Sequence, residues 1–294
     1  MIHILSENQS INQAIAELKA HPTLERRIHL APGNYKEQVV IDLDHLILEA
    51  EDPEKTIITG NLFARMPADD IGKLGTFRTY TLLVDAAHVT LKNITIENTA
   101  GPGHEVGQAI ALYADGDNLI VENCRILGHQ DTLFTGPLPP KEIEPNGFVG
   151  PKQFAPRING HQTYINCYIC GDIDFIFGSA TATFESCTIE SLPCETGYIT
   201  AASTPEGQDL GYLFNNCRFV SSVTAGSVYL GRPWRNHAKT IIQNSYLDAH
   251  INPKGWHDWH KPDAHASVFY AEVNNHGPGA GLSHRPYWIK KATS

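Results

Sequence analysis

FNNCRF at residues 214–219 has a close twin in FESCTI at 184–189, and both echo YINCYI at 164–169, VENCRI at 121–126 and LKNITI at 91–96. A last copy lies in IIQNSYL, 241–247, with Ile242 in its first apolar position. Each copy runs apolar, any, usually Asn, small or apolar, any, apolar. That is strand alternation, and each copy is bracketed by Gly, Asn, Asp and Pro turn signals. The copies start at 91, 121, 164, 184, 214 and 242, too far apart for hairpins and well spaced for coils that stack on one another. The pattern predicts an all-β chain, a single-domain right-handed parallel β-helix over residues 1–294 rather than a β-sandwich. The recurrent Cys and Asn are expected to form internal stacks.

Working outward, SINQAIAELKA (10–20) places Ile11, Ala14, Ile15 and Leu18 on one helical face behind a Ser10 cap. Such an N-terminal capping helix would close the open end of a solenoid. The widest gap in the repeat holds GPLPPKEIEPNGFVGPKQFAPR, 136–157, whose six prolines cannot continue a ladder strand. It reads as an insertion loop between coils, a candidate for shaping a cleft.

The net charge of −10 argues against nucleic acid and against an anionic membrane, since either partner needs excess Lys and Arg. No stretch reaches the length of a membrane span. The N-terminal twenty residues lack a basic start and a secretory apolar run, so the expectation is a cytoplasmic protein unless a leader has been cut away. The six cysteines sit in strand contexts without zinc spacing and read as buried thiols.

Chemistry-bearing residues are scattered. In GDIDFIFG (171–178), alternation puts Ile173, Phe175 and Phe177 inside the coil and Asp172, Asp174 and Ile176 outside. GHQDTL (128–133) adds Gln130 and Asp131, VGQAIAL (106–112) adds Gln108, and LGRPW (230–234) adds Arg232 and Trp234. Each alone is weak, because an Asp between aromatics is more often a structural hydrogen-bonding group and a Gln is usually a surface residue.

Together and in this order, these segments resemble the pectin methylesterases, or pectinesterases. The likeness runs from GNYKE (33–37) through GQAIAL, GHQDTL, GDIDFIFG and LGRPW to GWHDW (255–259), FYAEVNNHGPGA (269–280) and RPYW (285–288). The resemblance implies the same right-handed parallel β-helix and hydrolysis of galacturonate methyl esters, in methyl-esterified homogalacturonan or in oligogalacturonides, with neither metal nor organic cofactor. By it, Asp174 is the nucleophile, Asp131 the general acid and base, Gln108 and Gln130 the oxyanion donors, and Arg232 the holder of Asp174. Trp234 would pack on a sugar ring, with Phe134, Phe177 and His129 beside the substrate, and Asp172 is structural. In secreted relatives a cysteine pair can form at positions matching Cys167 and Cys187; here both are expected to remain thiols.

Those roles are chemically coherent. Two neighbouring carboxyls resist joint ionisation, and a guanidinium beside Asp174 would favour charge there and leave Asp131 protonated. The chain departs from the family at His129, where an aromatic is usual, and at HQTYINC (161–167). Lys141, Lys152 and Arg157 of the insertion could contact galacturonate carboxylates, and the loop is expected to wall one end of the groove and favour short oligomers. Other readings are a pectate lyase or glycoside hydrolase on the same fold, or an esterase or thioesterase acting on another acyl substrate.

Overall fold

A computed structural model describes residues 3–68 and 72–291. Its strands wind the chain through three parallel sheets in turn, 11-, 7- and 8-stranded among the described residues, with every pairing between successive coils parallel. This is the right-handed parallel β-helix expected from the repeat.

The repeat works by register. Its first apolar position stacks Leu48, Leu91, Val121, Tyr164, Phe184, Phe214 and Ile242 inside the 11-stranded sheet. Tyr164 lies on Phe184 at 4.7 Å and Phe184 on Phe214 at 4.4 Å, each pair tilted by 9°. Its last apolar position stacks Ile96, Ile126, Ile169, Ile189, Phe219 and Leu247 inside the 8-stranded sheet. Each of these buried side chains contributes roughly 1.5–3 kcal/mol. Between the ladders Cys124, Cys167, Cys187 and Cys217 stack as buried free thiols. Cys167, Cys187 and Cys217 each donate to a backbone carbonyl one coil back, at Val121, Tyr164 and Phe184.

The asparagines correct one expectation. Asn93, Asn123, Asn166, Asn216 and Asn244 do not stack inside; each sits at the turn between two sheets with φ of 51–55°. Asn tolerates that left-handed conformation better than other residues with a Cβ, so the repeat keeps it for backbone geometry.

The helix Ile11–Ala20 covers the first coil with Ile11, Ala14, Ile15 and Leu18 buried, and Ser10 Oγ accepts from the amide of Gln13 as an N-cap. Glu37 completes the cap. Its carboxylate accepts from Ser10 Oγ at 2.6 Å and from the Ile11 amide at 2.8 Å, while Tyr35 donates to the carbonyls of Leu5 and Ala31. GNYKE is thus the latch that holds the capping helix. Among the described residues no helix is long and apolar enough to cross a membrane.

Candidate active site

The strand Ile173–Gly178 belongs to the 7-stranded sheet, between Leu133–Thr135 and Gly197–Ala202. Its register with Gly197–Ala202 slips between Ile173 and Ile176, and Asp174 in that bulge has φ of 49°. The slip overturns simple alternation: Phe175 and Ile176 both turn into the core, and Phe177 comes out on the sheet's outer face. Bulges re-aim side chains in this way. Asp131, with φ of 64°, is tied back through its amide to Ile173 O at 3.1 Å, so both aspartates depend on one irregular patch of backbone.

Arg232 binds Asp174 in a paired contact, Nε to Oδ1 at 2.8 Å and Nη2 to Oδ2 at 2.6 Å. The guanidinium is held between two rings, each 3.8 Å from its carbon, Tyr198 on one strand and Trp259 on the loop that follows Trp256. Asp131 and Asp174 are 7% and 6% exposed. Burial lifts the Asp174 carboxyl above the ordinary range, opposed by the hydrogen bonds and charge of Arg232. Asp131 rises well above that range, first through burial and then through the like charge of Asp174, with Arg232 the opposing influence. The two environments push the pair apart in the sense the chemistry needs.

Gln108 and Gln130 line the same cleft, of about 640 Å³, with Asp131, Asp174, Phe177, Arg232 and Trp234. Their backbones are stitched coil to coil, Gln130 O accepting from Ala109 and Gln108 O from Ala64. A Cβ at Gly103 would lie 2.5 Å from that of Gln130, so only glycine lets the neighbouring turn pass this side chain. Trp234 packs against Phe177 at 5.6 Å and Phe148 at 6.3 Å.

Several expected site residues are placed elsewhere. Phe134 is wholly buried beneath Phe77 and Phe177 and supports the floor without reaching the cleft. His129 turns aside to Asp172, its Nδ1 3.1 Å from Oδ2. Asp172, 1% exposed, also accepts from the amides of Gly103 and Ile173, a structural bracket for the two turns that carry Gln130 and Asp174. In the insertion, Lys152 pairs with Asp85 and lies 3.9 Å from Asp115, while Arg157 donates to the carbonyls of Pro139, Lys152, Gln153 and Ala155. Both serve the loop's own structure and so are not the substrate contacts expected of them. Lys141 offers its carbonyl to Arg235, and the cations that line the cleft besides Arg232 are Lys73, Arg235 and Lys261. Burial lowers the Lys261 pKa to about 8.

Sequence reasoning passed over Tyr198, Trp259, Lys261, Phe77 and Phe148. Trp259 stood in the GWHDW segment, yet nothing in its spacing marks it as a partner of Arg232.

The pectinesterase family model matches residues 5–137 and 157–293, leaving out nearly the whole insertion. The chain is 34% identical over 282 residues to "Probable pectinesterase/pectinesterase inhibitor 23" of Arabidopsis thaliana, covering 90% of this chain and 44% of that protein. It is 35% identical over 274 residues to "Pectinesterase/pectinesterase inhibitor PPE8B" of Prunus persica, covering 89% and 47%. The chain therefore spans less than half the length of these relatives. Among solved structures it is similar to pectin methylesterase from carrot, at 26% identity and a TM-score of 0.83 over 99% of this chain and 88% of that one. It is also similar to the Aspergillus niger pectin methylesterase in deglycosylated form, at 31% identity and 0.77 over 97% and 87%. The plant relatives, named for a cell-wall polymer, overturn the cytoplasmic expectation, which rested only on the residues with which this chain begins. With the family model matching all but the insertion and the ends, and plant relatives 34–35% identical over 89–90% of its length, the chain belongs to the pectinesterase family.

Proposed function

We propose that the cleft hydrolyses methyl esters of galacturonate residues, in pectin or in methylated oligogalacturonides, releasing methanol and free carboxylate. The observation that carries this reading is the two-point clamp of Arg232 on Asp174, beside an Asp131 whose burial favours its acid form. An ionised Asp174 attacks the ester carbonyl. The tetrahedral oxyanion is met by amide donors from Gln108 and Gln130, each able to stabilise it by roughly 3 kcal/mol if preorganised. Asp131 protonates the departing methoxide, leaving an anhydride between Asp174 and the sugar acid. Asp131, now a base, takes a proton from water, and the hydroxide equivalent splits the anhydride to restore Asp174. Trp234 offers an aromatic face for a sugar ring.

Two carboxyls on a β-helix could instead cut a glycosidic bond, but that chemistry leaves the uncharged amides Gln108 and Gln130 that line the cleft without a role, whereas the oxyanion of ester cleavage calls for such donors. The test is methanol release from highly methylated pectin and methylated trigalacturonate by wild type, Asp174→Ala and Asp131→Ala. Methanol from the wild type alone supports the assignment. Chain shortening or unsaturated ends without methanol would sink it.

A further inference from the structure

The outer face of the 7-stranded sheet carries one in-register row, Val40, Leu83, Tyr113, Phe134, Phe177 and Ala201. The cleft reaches this row only at Phe177 and Ala201. Leu83, Tyr113 and Phe134, on the coils before Asp174, are no more than 1% exposed. Phe77 covers them from one side of the sheet, edge-on to Tyr113 at 5.9 Å and Phe134 at 5.0 Å. The inserted segment arrives from the other side: Phe148 packs edge-on to Phe77 at 5.7 Å, and Leu138 is 1% exposed in the same cluster. Backbone meets backbone at this seam, where a Cβ at Gly150 would lie 2.8 Å from Phe77 O.

The segment is built to stay there. Lys152 anchors it to Asp85 on the coil below, Arg157 gathers four of its own carbonyls, and Arg235 beside Trp234 donates to Lys141 O at 2.9 Å. Residues 138–156 are also the internal part of the chain that the family model leaves unmatched. What remains open is a cleft of about 640 Å³, lined along the seam by Phe77, Phe148 and residues 143–147.

Resting on the esterase reading above, we infer that the seam between Phe148 and Phe77 is a specificity wall that ends the cleft at Phe177 and selects short methyl-esterified oligogalacturonides over polymeric pectin. A chain bound across Asp174 cannot continue along the sheet past the wall, so a polymer engages only near an end.

The experiment compares kcat/KM per ester for methanol release from methylated trigalacturonate and from highly methylated pectin. It uses wild type, Phe148→Ala, and a chain in which residues 138–156 are replaced by a short Gly-Ser linker. The wild type should favour the trimer by roughly tenfold or more, and both variants should move that ratio toward pectin by about fivefold or more. Phe148→Ala keeps the anchors at Lys152 and Arg157, and carries the test if the shortened chain does not fold. Equal wild-type efficiency on both substrates, or a ratio unmoved in Phe148→Ala, would overturn the wall while leaving the esterase standing. No methanol from either substrate would overturn the esterase reading and the wall with it.

Discussion

Arg232 holds both oxygens of Asp174, at 2.8 and 2.6 Å, while its own guanidinium is stacked between Tyr198 and Trp259. The planar fork fixes the carboxylate's orientation as well as its charge, which a point charge on a flexible stem cannot do. Arg232→Lys should therefore cut kcat by on the order of 10²-fold, within the range for losing one preorganised electrostatic contact, with a smaller change in KM. Steady-state methanol assays read this; a kcat within threefold of wild type would show that charge alone suffices.

Trp259→Ala removes one face of the stack without touching Asp174. A cation–π contact of this kind contributes about 0.5–2 kcal/mol, so kcat should fall roughly 3- to 30-fold. In a double-mutant cycle with Arg232→Lys the two losses should be strongly non-additive. Simple additivity would mean that Trp259 acts on something other than the guanidinium.

The pH profile follows from the same pair. Turnover needs Asp174 ionised and Asp131 protonated, giving an acid limb from the first and an alkaline limb from the second. Because Asp131 is raised further than Asp174, the bell stays open between them. A profile with a single acid limb, flat up to pH 9, would remove Asp131 as the acid.

Stability should respond to the same burial with a definite sign. Below about pH 4, near the unfolded carboxyl pKa, both states hold the Asp131 proton and nothing is lost. As pH rises toward the higher folded pKa, the unfolded chain releases its proton first, and wild-type stability falls. Asp131→Asn escapes this loss, so at pH 7 it should melt above wild type, by about 1 kcal/mol or more, with the gap closing at pH 4. Melting curves at the two pH values measure it, and a gap that widened on acidification would contradict a raised pKa.

At the turn between two sheets, Asn166 has φ of 51° and is exposed. Asn166→Ala should cost about 1–2 kcal/mol, whereas Asn166→Gly should change little because glycine enters the left-handed region freely. Urea unfolding distinguishes the two; equal losses would point to a side-chain role instead.

The amino-acid sequence by itself determined the coil. Apolar residues at the first and last positions of each repeat recur from coil to coil and have no alternative partner as good as their own copies, so Tyr164, Phe184 and Phe214 stack whatever the loops do. It also marked the candidate site residues, because QDTL, DFIFG and LGRPW are specific in combination, and the structure brings Asp131, Asp174, Gln108, Gln130, Arg232 and Trp234 to one cleft.

Tertiary structure decided the rest. Local alternation could not foresee the bulge at Asp174, since a register slip depends on the neighbouring coil and turns Phe177 outward against its own period. Cations look alike in sequence, yet Lys152 and Arg157 are consumed by the insertion while Arg235 and Lys261 come to the cleft from distant coils. The contact of Phe148 with Phe77 joins residues 71 positions apart through two loops of no regular period, so only the folded chain could show where the insertion meets the sheet.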